Sequence, residues 1–511
     1  MSDKNDIKQN IIHGTIVIII VTVLAKLASF VSTAVLAAYL GTTNQSDAVN
    51  TVLGVEQVFY PMIGVGIWKV FLPIYKENLV TDKIDEADKL ANKTITLFTL
   101  ITGVAVLALY IFTAGVVNII APGFDADTKL LSIHLIRISA PMYFFIIIAA
   151  VYSSMLQCHN NFFGSQVREI ASHIPVIILA ILCFKRFGID AIAVGMLLGG
   201  MLRFFVELPF VKWGYKYRPD FHFRTSQMID MVKKYPSAMM SEGVNQINVL
   251  IDKIMASVLT AGSVSALNYG NKLTNFLSGL LSTALSTALY PQFVELITLQ
   301  QKDELKQIVI RVINLFSFLM MPITIGCVVF SHEIVAIVFQ RGAFDDSSVA
   351  LTSGVFSCYC FGLFFVACNT VITNLFYANG DTKTPLVISI INLVANIVLN
   401  IAFIKALGIS GLALATSVSA GITFFIRLSK MKDIVNIPLQ SIAPTFIKAT
   451  VLSGIICIPI YLLLKKKISN LYLFFTASFL LACVVYVLIA WALKMDEMSM
   501  LISIIKRKLK K

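Results

Sequence analysis

Charged side chains are scarce in this chain: Asp, Glu, Lys and Arg make up 14% of 511 residues, against 57% hydrophobic ones. No water-soluble globular class accommodates that balance, and the mean hydropathy of +0.83 agrees. The chain also lacks the patterns of several chemistries. No GxxxxGK[ST] sequence occurs, which argues against ATP hydrolysis. No Ser/His/Asp set or carboxylate pair stands out, so the reading is a transporter and not an enzyme. Its eight cysteines lie in or beside apolar stretches without CxxC spacing, and its six histidines form no metal-spaced group. The first apolar run, about 11–40, far exceeds the roughly 7 to 15 residues of a signal-peptide core and is expected to stay as a span.

What is abundant is continuous apolar sequence. A bilayer core of about 30 Å needs roughly 20 apolar residues per helix, and about fourteen such stretches are separated by short polar turns. Only helices or closed barrels satisfy their backbone in lipid, and unbroken runs in place of alternation select helices. The fold class is therefore all-α and polytopic. Six spans near 11–40, 48–75, 92–119, 128–157, 162–184 and 189–211 form a first set. Six more near 235–260, 263–292, 305–331, 347–378, 384–405 and 409–428 form a second, and two lie beyond, near 442–464 and 469–493.

The two sets repeat one another weakly, in order, at an offset of about 219 residues. The segment around Pro73 is answered by that around Pro291, Pro122-Gly123-Phe124-Asp125 by Gly342-Ala343-Phe344-Asp345, and Gly188-Ile189-Asp190 by Gly408-Ile409-Ser410. An even number of helices per copy gives both the same orientation, a parallel repeat of the kind secondary transporters use. The expected organisation is a lobe over 1–218, a second over 219–434, and two extra helices with a basic tail over 435–511.

The net charge of +13 is informative through its placement. Lys4, Lys8, Lys76, Lys83, Lys89, Lys212, Lys216, Arg218, Arg224, Arg427, Lys430, Lys432 and the tail from Lys506 all fall on one side if there are about fourteen spans. The positive-inside rule then puts both termini in the cytoplasm. Lys185-Arg186 and Lys465-Lys466-Lys467 fall on the other side, against the rule. The basic patches read as topology signals and anionic-lipid contacts, with no nucleic-acid partner.

An ionisable side chain at the bilayer centre costs roughly 2.5 to 3.5 kcal/mol, so each one needs a partner or an aqueous cavity. The candidates are Lys26, Asp47, Glu56 and Lys69 in the first copy and Glu242, Asp252, Lys253 and Lys272 in the second. They sit in the first two helices of each copy and predict a central, largely cationic cavity suited to a phosphate or pyrophosphate. The other reading is that Lys26 and Lys69 snorkel to the membrane surface. Asn392, Asn396 and Asn400 recur at i, i+4 and i+8 and make a polar stripe on an apolar helix. With Asp252 and Thr416 they would hold a sodium ion, or else form an interhelical hydrogen-bond ladder.

These residues resemble the MurJ (MviN) lipid II flippases of the multidrug/oligosaccharidyl-lipid/polysaccharide (MOP) exporter superfamily. The most specific pieces are Val338-Phe339-Gln340-Arg341-Gly342-Ala343-Phe344 and Phe376-Tyr377-Ala378-Asn379-Gly380-Asp381-Thr382-Lys383-Thr384-Pro385, with Ala121-Pro122-Gly123-Phe124 and Gly262-Ser263-Val264-Ser265-Ala266-Leu267-Asn268-Tyr269 in support. The resemblance implies two six-helix lobes, alternating access, and a groove by the last two helices for a lipid tail. It implies a lipid-linked peptidoglycan precursor as substrate, moved from inner to outer leaflet, and the peptidoglycan synthesis machinery as a partner. Flippases for another lipid-linked glycan and cation-coupled drug exporters of the superfamily are the alternatives. In the family's span-one pattern Ser-Arg-x-x-Gly-Phe-x-Arg-Asp one cation survives here as Lys26, while Ser32 and Thr33 replace the second cation and the acid. Lys26, Lys253 and Lys272 are expected on the pyrophosphate, with Asp47 and Glu56 holding lysines or gating. The family's sodium site resembles Asp252, Asn396, Asn400 and Thr416.

Overall fold

The computed structural model describes residues 2–493 and 495–498, and side chains in that range outside 2–19, 59, 62, 237–238, 240–242, 244–245 and 280–288. The side chains of Lys4, Lys8 and Glu242 and the tail from Lys506 lie outside the described residues. Among the described residues there are helices and no strands. The chain divides into two compact units, one running to Ser265 and including Arg341–Phe344, the other formed by Ala266–Gln340 and the chain from Asp345 onward.

In the first unit α1 (Ser2–Leu40) leads to α2 (Asn44–Phe59), which passes through a π-helical turn, Tyr60–Val65, into α3 (Gly66–Val80). Pro61 has no N–H to return to the preceding turn, and the ladder widens by one residue there. Then come α4 (Ile84–Ile111), α5 (Thr113–Ile120), α6 (Ala126–Ser139), α7 (Met142–Cys158), α8 (Phe162–Phe187), α9 (Asp190–Phe205) and α10 (Ser226–Ser257). The second unit holds nearly all of α11 (Ser263–Thr298), with α12 (Lys302–Val329), α13 (Ser331–Phe339), α14 (Asp346–Cys360) and α15 (Leu363–Ala378). It continues with α16 (Lys383–Leu407), α17 (Ile409–Lys430), α18 (Ala443–Lys465) and α19 (Leu471–Ala492).

The duplication is visible element by element. α4 to α9 correspond to α12 to α17 with the same short fifth helix and the same break. The pairs α6–α7 and α14–α15 bend by 45° and 44°. Gly188 and Gly408 end α8 and α16 at φ 58° and 55°, and Asp125 and Asp345 cap α6 and α14 through Thr128 N and Ser348 N. Hydrogen bonds from the backbone N–H of Ser348 and from Ser347 hold the Asp345 carboxyl below the usual carboxylate range. Its contribution is therefore complete above the ordinary carboxylate range and fades as pH falls through the lowered value. Asp345→Ala is expected to cost about 1 kcal/mol at neutral pH and Asp345→Asn much less, read from thermal unfolding in detergent.

Among the described residues ten helices are long and apolar enough to cross a membrane, and the two bent pairs raise this to twelve. The further pair needed for about fourteen would be α10 and α11, 32 and 36 residues long but too polar over their described parts to be counted. The core of the first unit is built on Leu40, Val52, Ile136, Tyr143 and Met196, and that of the second on Phe293, Phe316, Phe364, Phe376 and Phe424. Lys465, which the expected topology places against the positive-inside rule, has a local partner. Its Nζ lies 3.1 Å from Glu333 of α13, which is buried and also accepts from Tyr461 at 3.2 Å.

Candidate functional site

At the end of the first unit where α1 gives way to α2, parts of both sequence copies meet. A Cβ on Gly262 would lie 2.2 Å from the Thr42 carbonyl oxygen, and one on Gly342 would lie 2.2 Å from that of Ala38. Both glycines have positive φ, 80° and 60°, so each position needs glycine twice over, for conformation and for space. The Ala343 N–H donates to the same Ala38 carbonyl at 2.8 Å.

Asp47 locks this junction. It stands in the first turn of α2 and is buried, at 2% exposure. α11 begins just after Gly262, which has no side chain to cap it. The Asp47 carboxylate does so instead, accepting from Gly262 N at 2.8 Å, from Ser265 N at 2.8 Å and from the Ser265 hydroxyl. Two of the unsatisfied N–H groups of a helix N-terminus thus find an anion where the dipole favours one. Asn50, one turn on, donates to Ser265 Oγ at 3.1 Å and completes the relay. Asp47 thus bonds backbone and serine, and among the described residues it holds no lysine.

Lys253 of α10 is buried and donates to Gln57 of α2 at 2.7 Å, beside Gly54, whose missing side chain leaves room for the ammonium. Lys26 is half-buried on α1 and makes no hydrogen bond or ion pair among the described residues. Lys69 on α3 and Lys272 on α11 are half-buried, and both have partners. Lys26, Lys69 and Lys253 belong to the first unit and Lys272 to the second.

The asparagine stripe forms a ladder. Asn400 Nδ2 donates to Asn396 Oδ1 at 2.9 Å, Asn396 Nδ2 to Thr416 Oγ1 at 3.2 Å, and Thr416 to the Leu412 carbonyl at 3.1 Å. Asn396 and Asn400 are fully buried. Asp252, the carboxylate expected beside them, belongs to the first unit and the ladder to the second. The ladder is the arrangement these side chains adopt among the described residues. Among the described residues no three His, Cys, Asp or Glu side chains converge as metal ligands.

The densest group of membrane charges lies elsewhere, on the fifth and sixth spans of the first copy. Arg203 of α9 contacts Glu56 of α2 at 3.3 Å and Glu169 of α8 at 2.9 Å. Arg168 donates to the Tyr60 hydroxyl at 2.9 Å and approaches Glu169 at 3.5 Å and Glu207 at 3.7 Å. Both guanidinium groups lie over the Tyr60 ring, 6.0 and 5.4 Å from its centre. The expectation that ionisable groups gather in the first two helices of each copy is thus incomplete, and the partner of Glu56 is an arginine and no lysine. A sequence signal was available. Gly195 and Gly199 form a GxxxG step, with Cβ positions 2.9 Å from Val176 Cα and 2.3 Å from the Ser172 carbonyl oxygen, so α9 packs directly on α8. Continuing the i+4 stripe gives Arg203 on α9 and Glu207 in the turn just after it, and Arg168 lies four residues before Ser172 on α8.

A solved lipid II flippase MurJ in an inward closed conformation superimposes with a TM-score of 0.79 at 26% identity, over 97% of this chain and 100% of that one. An inward-facing multidrug resistance MATE family transporter of the MOP superfamily matches with a TM-score of 0.69 at 13% identity, over 80% of this chain and 95% of that one, which is a likeness of fold. Probable lipid II flippase MurJ proteins of Thermotoga maritima and Rickettsia prowazekii are 28% and 27% identical. The matches cover 84% and 79% of this chain and 85% and 80% of theirs. The family profile described as lipid II flippase MurJ matches residues 36–485, and the chain belongs to that family.

Proposed function

We propose that the chain is a lipid II flippase that carries the lipid-linked peptidoglycan precursor from the inner to the outer leaflet by alternating access. The observation that carries this reading is the likeness to lipid II flippase MurJ along almost the entire chain, in sequence and in fold. The multi-pass helical fold and the absence of an ATP-binding loop in the sequence support a secondary transporter, with no catalysis of its own.

In this reading the termini are cytoplasmic, so the Asp47–Gly262 junction is the outer seal. The substrate reaches the protein from the cytoplasmic side, and Lys26, Lys69, Lys253 and Lys272 supply point charges for its pyrophosphate. Lys26 is the strongest candidate because it has no competing partner among the described residues. Lys253 must first release Gln57, which ties phosphate binding to the α2–α10 contact. Partners in the peptidoglycan synthesis machinery belong to the same proposal. In bacteria depleted of their own MurJ, expression of this chain is expected to restore growth and cell shape, and Lys26→Ala to restore them poorly. Lysis despite membrane expression of the unaltered chain contradicts the reading.

A further inference from the structure

The first unit contains a buried group of ionisable side chains that the transport reading leaves without a task. Glu207, at the C-terminal end of the sixth span, is 0% exposed, and neither of its carboxylate oxygens has a hydrogen-bond partner. Its nearest cation, Arg168, stands 3.7 Å away and directs its hydrogen bond to Tyr60 instead. The groups of the cluster around it are Arg168, Glu169 and, one turn on beside Glu169, His173 from α8, and Arg203 from α9. Glu56 comes from α2, Tyr60 from the π-helical turn, and Tyr143 and Tyr152 from α7.

With Glu56, Glu169 and Glu207 all ionised, three negative charges face the positive charges of Arg168 and Arg203. A buried carboxylate that accepts no hydrogen bond and only shares its counter-charge, as Glu207 shares Arg168 with Glu169, is costly to keep inside a membrane protein, and such a group takes up a proton. Arg203 contacts both Glu56 and Glu169, whose side chains are also 25% and 30% exposed. Glu207 has neither advantage. The geometry points to a proton-binding site at this cluster: Glu207 holds a proton in the conformation seen here, and its loss and regain act on the π-helical turn of the second span through Arg168 and Tyr60. When the proton leaves to water, the new carboxylate draws Arg168 into a hydrogen-bonded pair, and the 2.9 Å bond from Arg168 to the Tyr60 hydroxyl breaks. Tyr60 begins the one π-helical stretch among the described residues, and an irregular turn of this kind is where a span can bend. The use of this proton as a driving ion rests on the flippase reading, but the site itself does not.

The test is pH-difference infrared spectroscopy of the protein in lipid bilayers, which needs no substrate. The expected result is a carbonyl stretch of a protonated carboxylic acid at neutral pH that disappears on alkaline titration and is missing in Glu207→Gln. In Arg168→Gln, where the nearby cation is gone, the same band should persist about one pH unit higher or more. A wild-type protein without the band, a band retained in Glu207→Gln, or an unmoved titration in Arg168→Gln overturns the proposal. Transport measured in vesicles across the same pH range is expected to vary in wild type and to flatten in Glu207→Gln, and an unchanged profile in that variant overturns the coupling. A band that behaves as expected in a chain that moves no lipid II supports the proton site and overturns the transport reading alone.

Discussion

Asp47→Ala is expected to reduce lipid II translocation at least about tenfold while leaving a protein that inserts and can be extracted intact. The substitution removes the acceptor of two backbone N–H groups at the start of α11 and of the Ser265 hydroxyl, all buried. Hydrogen bonds to a charged group contribute roughly 1.5 to 3 kcal/mol each, and stranded buried donors add desolvation cost. A loss on the order of 3 kcal/mol falls on one packed arrangement and not on the helices themselves. In an alternating-access protein this shifts the balance between states by about a hundredfold, away from the arrangement seen here. Asp47→Asn should lie between, since its oxygen can still accept while its amide group faces another N–H. The direct readout is labelling of Thr42→Cys by an impermeant thiol reagent: faster in the Asp47→Ala background than without it, each corrected for the native cysteines. Equal labelling rates would show that Asp47 does not hold this junction closed.

Gly262→Ala should have the larger effect of a matched pair of glycine substitutions. Gly262 and Gly380 have nearly the same φ, 80° and 75°. Alanine at either position carries the same conformational penalty of roughly 1 to 2 kcal/mol. They differ in surroundings: a Cβ at 380 meets nothing within 4 Å, whereas one at 262 lies 2.2 Å from the Thr42 carbonyl oxygen and 2.7 Å from its carbon. The clash is with backbone, so no side-chain rotation relieves it. Gly380→Ala is expected to keep most translocation activity, and Gly262→Ala to lose at least about tenfold more. Similar activities in the two variants would contradict the close approach of the two copies at this junction.

The architecture was legible in the sequence because lipid imposes it. Apolar runs of fixed length have few structural options, and the offset of about 219 residues survives as paired caps at Asp125 and Asp345 and paired turns at Gly188 and Gly408. The bends after Ser139 and Cys360 were not legible, since hydropathy is blind to a change of direction inside an apolar run. Single residues were harder still. Asp47 announces itself as a membrane-buried acid, yet two of its partners are backbone groups some 215 positions away, which no side-chain pattern encodes. The ladder of Asn396, Asn400 and Thr416 follows from the stripe, but the choice between ladder and ion depends on where the amides point. Arg203 and Glu207 lie outside the first two helices of each copy, and only the stripe continuing from Gly195 and Gly199 points to them.

The two copies also differ in what they carry. The first holds a charged cluster around Tyr60, while the corresponding pair of spans in the second, α16 and α17, holds a neutral amide ladder. A duplication that began symmetric has therefore kept its helices and caps and changed the polar groups between them. The cationic residues expected on the substrate divide in the same way, with Lys26 unpartnered among the described residues and Lys253 tied to Gln57.

The central claim is that this chain moves lipid II across a bilayer, and the most direct measurement is the purified protein in lipid vesicles loaded with fluorescent lipid II. Label in the inner leaflet is expected to become accessible from outside much faster than in protein-free vesicles, and Asp47→Ala and Lys26→Ala are expected to slow this exchange. A rate equal to that of protein-free vesicles, from folded protein at the same density, contradicts it.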